Sequence, residues 1–273
     1  MTAYPIALTD SATMLRRNLR RMRRYPSLTF FIAAIPVVLL LLFVYVFGGT
    51  LGAGIGGLLG DALGPVTGGR TAYIAYVVPG ILLITVAGAG QGTAISVAMD
   101  MTEGIVARFR TMAVARSSVL AGHVVGSVIQ TMLALVLVLV VALLIGFRPT
   151  AGPVEWLAAI GLLALTSLAI TWLCVGLGMS AGSVETASNT PMFLIFLPFL
   201  SSGFVPTESM PDGLSWFAEN QPFTPIIETL RGLLLGTPIG NSGVLAVGWC
   251  LAISLAGYVW AMRLYERPPR PRE

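Results

Sequence analysis

The side chains that ordinarily carry chemistry are scarce in this chain: one His, two Cys, and no Lys, all 16 basic residues being Arg. His123 alone cannot build a multi-histidine metal centre, and neither an HExxH helix nor a paired-Cys motif is present. A Ser or Cys hydrolase needs a base, and His123 is the sole imidazole; its place at the start of an apolar run reads more simply as interfacial. Cys174 and Cys250 both fall inside apolar runs, where packing is the simpler role than a disulfide or a metal pair. The missing Lys has the sharpest consequence. A phosphate-binding G-x-x-x-x-G-K-[ST] loop needs Lys to reach the terminal phosphates, so this chain is not its own ATPase.

Two other constellations remain. The first runs from Met99 to Gly122, with Asp100 and Glu103 at its start and Arg108 and Arg110 about two turns later, the order that complements a helix dipole. Ile105, Val106, Phe109 and Met112 lie among these charges, which marks either a docking surface or a solvated connection whose Arg residues set topology. The second runs from Leu200 to Gly236. Pro206, Pro211, Pro222 and Pro225 forbid one continuous helix there, yet Leu214, Trp216, Phe217, Phe223, Ile226, Ile227 and Leu230 are too apolar for a free loop. Short half-helices that enter the membrane and return satisfy both facts, since broken backbone at membrane depth is tolerated where protein covers it. Glu228 and Arg231 are three residues apart, so a helix over 226–235 makes them neighbours, as a structural ion pair or as a substrate gate.

The elements that position these segments follow from composition. With 56% hydrophobic and 10% charged residues, the chain departs from the roughly 25% charged content of soluble domains. Apolar runs at 28–47, 72–98, 124–147, 155–181, 188–205 and 244–264 are long enough to approach or cross a hydrocarbon core, and Pro191 and Pro198 interrupt the fifth. The expected fold is an all-α integral membrane protein with six transmembrane helices, an N-terminal interfacial helix over 9–25, a six-span core over 28–264 with an outer re-entrant hairpin between spans five and six, and a tail at 265–273.

Arg placement sets the orientation. Arg16, Arg17, Arg20, Arg21, Arg23 and Arg24 precede span one, Arg108, Arg110 and Arg116 lie between spans two and three, and Arg263, Arg267, Arg270 and Arg272 end the chain. Both termini and the 99–122 connection are therefore expected in the cytoplasm, in a multi-pass protein of the cell inner or plasma membrane. Arg16 and Arg17 suggest a twin-arginine signal, but the apolar run behind them is too long and lacks a clear cleavage site. Ala12, Leu15, Leu19 and Met22 form the apolar stripe of the helix on which these Arg residues sit, suited to anionic headgroups. Gly48 to Gly69 reads as a flexible outer loop or a small-residue packing helix. No Asp, Glu or Arg lies plainly at mid-bilayer, which weakens an ion-coupled carrier. Thr85, Gln91, Thr93, Ser96, Thr166, Ser167, Thr171 and Asn189 read as hydrogen-bonding glue between helices, or as the lining of a path.

The pattern Glu103-Gly104-Ile-x-x-Arg108-Phe109-Arg110-x-Met112, followed by small residues and Leu-Ala-Gly, resembles the coupling segment of ABC type-2 exporter permeases. The Pro-punctuated stretch with Gly203, Pro206, Met210, Pro211, Pro222, Glu228 and Arg231 is similar to the closing hairpin of that family, including its daunorubicin-resistance group. The Gly-rich first outer loop departs from the pattern. The resemblance implies one type-2 transmembrane domain over 1–273, without cofactor of its own, ATP and Mg being held by a separate cytoplasmic ATPase subunit that receives the segment from Asp100 to Met112. It further implies a second permease copy or paralogue, membrane lipids and an amphipathic drug, antibiotic, lipid or polyketide-like cargo as partners, and no nucleic acid. An anchoring or assembly subunit without transport is the competing reading.

Overall fold

Apolar runs of Leu, Val, Ile and Ala must close their backbone hydrogen bonds internally in lipid, and the helix does this within one segment. The computed structural model describes residues 26–49, 69–102 and 116–266, and no strand occurs among them. The expected interfacial helix 9–25, most of the Gly-rich connection, residues 103–115 and the tail beyond 266 lie outside the described residues.

The elements in chain order are α1 (Pro26–Leu42), a π-helical turn (Phe43–Phe47), α2 (Arg70–Thr102), α3 (Arg116–Leu144), α4 (Pro153–Ser180), α5 (Val184–Asn189), α6 (Met192–Phe196), a 3-10 turn (Leu197–Leu200), a second 3-10 turn (Thr207–Ser209), α7 (Asp212–Asn220), α8 (Phe223–Leu235) and α9 (Ser242–Glu266). Four of them, α2, α3, α4 and α9, are long and apolar enough to cross a membrane, and residues 32–47 form a shorter apolar helix. These five coincide with the expected spans one, two, three, four and six. The fifth expected span is not a single helix. It is assembled from α5, α6 and the first 3-10 turn, broken at Thr190 and Pro191 and ended at Ser201, because Pro191 and Pro198 cannot donate to the ladder.

The 33-residue α2 is the buried axis, with 94% of its most apolar stretch covered by the rest of the chain. Small residues let its neighbours approach. A Cβ on Gly178 of α4 would lie 2.5 Å from the Ala94 carbonyl of α2, and one on Gly257 of α9 would lie 2.8 Å from the Leu173 backbone of α4. Such small-residue contacts are how helices pack where lipid removes the hydrophobic drive. With Gly90 of α2 against Ile170 and Cys174 of α4, and Gly176 of α4 against Trp260 of α9, the order of contacts shows that α2, α4 and α9 run in the same direction. In contrast, α3 and α9 leave most of their apolar surface uncovered. Leu133, Val136, Val140 and Leu144 form one exposed row on α3, and Leu245, Leu251 and Leu255 are exposed on α9. Contiguous apolar rows of this kind suit lipid or a second membrane chain and would be a liability in water.

The hydroxyls expected between helices mostly serve their own helix. Thr85 donates to the Ile81 carbonyl, Thr93 to Ala89, Thr166 to Leu162 and Ser167 to Leu163, each one turn back. In lipid a hydroxyl is cheapest to satisfy locally. Two of these residues bridge elements: the Gln91 amide donates to the Ser188 carbonyl at 2.7 Å, beside the break at Pro191, and the Thr166 hydroxyl meets the Cys250 sulfur of α9 at 3.4 Å. Both cysteines are free and buried, as their packing role required.

Candidate functional site

The Pro residues of the 200–236 segment fall at element boundaries. Pro206 precedes the second 3-10 turn, Pro211 precedes α7 and Pro222 precedes α8, positions where a missing N–H costs nothing because the first helical donors have no intrahelical acceptor. Pro225 sits in the first turn of α8, so the helix starts at Phe223, three residues before the expected 226. It ends at Gly236, whose φ of +74° is the left-handed cap that Gly adopts readily. The Leu234 carbonyl at that end accepts from the Thr150 N–H in the connection between α3 and α4.

Two contacts fasten this segment to α2. Gly203 lies against Gly80 so closely that a Cβ on Gly80 would meet the Gly203 carbonyl at 3.1 Å, and a Cβ on Gly203 would meet the Gly80 Cα at 3.2 Å. Beside them, the Arg231 side chain is 6% exposed and lies over the Tyr76 ring at 3.9 Å. It donates to the Ser202 carbonyl at 2.7 Å and to the Tyr76 carbonyl at 3.3 Å. The Tyr76 carbonyl sits in the turn of α2 that Pro79 loosens. Arg suits this place, since a planar cation can stack on an aromatic face while its N–H groups fan out to carbonyls.

The expected contact ion pair between Glu228 and Arg231 is not formed. Glu228 instead accepts from the Ser242 hydroxyl at 2.8 Å, joining α8 to the first turn of α9. Helical spacing makes the two residues neighbours in angle, but Arg231 points into the bundle, where buried carbonyls need donors more than a half-buried carboxylate needs a cation.

Gln221 completes the fastening. Its amide donates to the Leu197 carbonyl at 3.0 Å and the Leu200 carbonyl at 2.8 Å, where the broken fifth segment ends. Ser201 donates to the Pro198 carbonyl at 2.5 Å and accepts from the Gly203 N–H at 3.2 Å. Phe204 stacks on Phe199 at 4.7 Å and meets Phe43 of the π-helical turn at 4.8 Å, while Arg70 lies over Tyr45 at 4.4 Å. The half-buried Pro206, Met210 and Pro222 and the exposed Pro211 lie away from this buried centre. On α7, Trp216 is 68% exposed. Sequence patterns named Gly203 and Arg231 within the segment, but Gly80, Tyr76 and Ser202 went unseen as their partners, as did Gln221 as the partner of Leu197 and Leu200. The nearest signals were the Pro79-Gly80 and Gln221-Pro222 pairs.

At the opposite end of α2, Asp100 and His123 meet, Oδ2 to Nε2, at 2.9 Å. They bracket the 99–122 connection at its two ends, so His123 is more than an interfacial residue. Glu103, Gly104, Arg108, Phe109, Arg110 and Met112 lie outside the described residues. Next to His123 a cavity of about 480 Å³ opens between α1, α2 and α3.

A bundle of apolar helices with a carbonyl-clamped broken segment at one end and a braced connection at the other defines a polytopic membrane protein. The sequence profile of the ABC-2 type transporter family matches residues 10–235, and the chain belongs to that family. It is 28% identical over 270 residues to the daunorubicin resistance ABC transporter permease protein DrrB1 of Streptomyces coeruleorubidus, covering 97% of this chain and 88% of that protein. It is 24% identical over 160 residues to the probable doxorubicin resistance ABC transporter permease protein DrrC of Mycobacterium tuberculosis, covering 59% of this chain and 58% of that one. A further relative, ABC transporter G family member 20 of Dictyostelium discoideum, is 29% identical over 167 residues, 60% of this chain and 22% of its own length.

Proposed function

We propose that this chain is the permease subunit of an ATP-driven exporter of amphipathic drugs, with daunorubicin-like compounds as the first cargo class to test. The single observation that carries the reading is likeness across 97% of the chain to a daunorubicin resistance permease. The absence of Lys from the sequence supports a division of labour in which a separate subunit binds ATP.

In this reading the bundle has six spans, the fifth being the broken α5 to 200 segment, and the Arg clusters keep both termini and the 99–122 connection in the cytoplasm. The segment from Asp100 to Met112 docks on the ATPase subunit. The 201–236 segment is then an outer re-entrant hairpin, fastened to α2 through Arg231 and Gly203. Two such bundles enclose the pathway, and closure of the ATPase subunits on ATP changes the packing between them. The exposed rows on α3 and α9 are available to lipid or to the second bundle.

Docking is tested by replacing Glu103 and Phe109 together with Ala. Loss of copurification with the cognate ATPase, with membrane insertion intact, is the expected result; undiminished copurification removes the docking role. Expression of the native pair should lower cellular daunorubicin accumulation, and a Walker-A Lys variant of the ATPase should abolish the effect. Equal accumulation with and without the active ATPase would favour an assembly subunit.

A further inference from the structure

The cavity beside His123 lies in the half of the bundle away from the hairpin and spans Ile84 to Met99 on α2. Its volume, about 480 Å³, falls in the range that takes a drug-sized molecule. Two features of sequence create it. On α2, Gly88 and Gly92 are one turn apart, and a Cβ on either would meet nothing within 4 Å, so the wall there is open space rather than a tight packing notch. On α3, His123, Ser127 and Gln130 follow each other at helical spacing and all line the same side.

The remaining wall is apolar, with Ile32, Ile35 and Pro36 of α1 and Ile84 and Ile95 of α2. Set into it are several polar side chains. Gln91 and Thr93 are bonded to backbone carbonyls. The Ser96 and Ser127 hydroxyls and the Gln130 amide make no hydrogen bond to any described residue. These half-buried groups, set in an otherwise apolar wall, are placed to pair with polar groups of a ligand. Among the described lining residues the sole ionisable side chain is His123, whose Nε2 lies 2.9 Å from Asp100 Oδ2. Among the described residues a cation or anion entering the cavity would therefore find no uncommitted counterion.

We propose that this cavity is a binding site for the uncharged, oxygen-bearing portion of an amphiphile, whose hydroxyl or carbonyl groups pair with Ser96, Ser127 and Gln130 while its apolar frame lies against α1 and α2. The proposal rests on the exporter reading for its biological sense, as a site where cargo enters from the leaflet opposite the hairpin. It does not rest on that reading for its chemistry. A ligand filling the site would touch His123, the residue that closes the base of the 99–122 connection against Asp100.

The test uses the permease with its ATPase in nanodiscs, and Ser127→Cys as reporter, the native Cys174 and Cys250 being buried. Labelling of the new thiol by a membrane-permeant maleimide is followed with quinizarin, an uncharged dihydroxyanthraquinone, as probe. Quinizarin should slow labelling at least tenfold, and its permanently charged trimethylammonium-alkyl derivative should do so less than twofold. Gln130→Leu should raise the quinizarin concentration for half-protection about tenfold, and Ile95→Trp, which fills the space, should abolish the protection; gel filtration and ATPase copurification establish that each variant is folded. Equal protection by the two probes overturns the neutral-ligand assignment. Protection without probe that follows phospholipid composition assigns the cavity to lipid, and protection lost on separating two permease copies assigns it to the interface between them; either overturns the proposal. The measurement needs neither ATP nor transport. Failed protection with intact ATP-driven transport removes only this site, whereas intact protection without transport counts against the exporter reading alone.

Discussion

The Arg231 guanidinium lies 3.9 Å from the centre of the Tyr76 ring and hydrogen-bonds the Tyr76 and Ser202 carbonyls, so one side chain holds the 201–236 segment to the central helix. Charged hydrogen bonds contribute about 1.5–3 kcal/mol each when a partner is removed. Arg231→Ala should therefore destabilise the folded permease by about 2–4 kcal/mol, read as a lower unfolding midpoint in detergent and faster proteolysis within 201–222. Arg231→Lys should recover little, because an ammonium is a point charge and cannot stack and reach two carbonyls together. Full recovery by Lys would show that charge alone suffices.

The Gly80 and Gly203 contact makes a second, independent fastening. A methyl at either position must displace neighbouring backbone or Ile227, at Cβ distances of 3.1–3.2 Å. Overpacking of this kind costs about 1–3 kcal/mol. Gly80→Ala and Gly203→Ala should each lower the unfolding midpoint, and the double variant should cost less than their sum because both wedge open the same contact. Strict additivity would mean the two glycines do not act on each other.

Gln221 donates to the Leu197 and Leu200 carbonyls at the two ends of the first 3-10 turn. Gln221→Leu keeps the volume and removes the side-chain donor from both carbonyls, at about 1–3 kcal/mol. Amide exchange of residues 197–204 should quicken in this variant while α4 and α9 remain protected. Unchanged exchange would show that water already reaches those carbonyls.

Much of the architecture is legible in the residue pattern, for a physical reason. Hydrocarbon demands long apolar helices, so the helices at the expected spans one to four and six follow from hydropathy, four of them long enough to cross a membrane, and their observed ends differ from the apolar runs by up to eight residues, most at α3. Pro206, Pro211 and Pro222 also read correctly as boundaries, whereas Pro225 lies inside the first turn of α8. Pairing within the segment did not. Sequence spacing favours partners on one helix, which is why Glu228 looked like the partner of Arg231, whereas the observed partners are 155 and 29 residues away in sequence. Tertiary carbonyl acceptors leave no signature in side-chain type. Ser96 is legible only in part, as a polar residue on an apolar helix; that it faces a cavity depends on the placement of α1 and α3 around it.

The Asp100 and His123 contact bridges the two ends of the 99–122 connection, with both side chains 16% exposed. A partly solvated pair of this kind contributes no more than about 1 kcal/mol to stability. Its larger effect is expected on coupling. Asp100→Asn with His123→Gln should leave the unfolding midpoint within a few degrees and lower the cargo moved per ATP hydrolysed. A large drop in midpoint with unchanged coupling would make the contact purely structural.

The central claim is that this chain provides the membrane path for a cargo driven by another subunit's ATP. It is tested most directly by daunorubicin movement in inside-out proteoliposomes containing the purified chain and its cognate ATPase. The account predicts daunorubicin accumulation that requires ATP, is lost with a Walker-A Lys variant of the ATPase, and is indifferent to an imposed proton or sodium gradient. Accumulation driven by the ion gradient without ATP, or none with an ATPase that is active and bound, would contradict it.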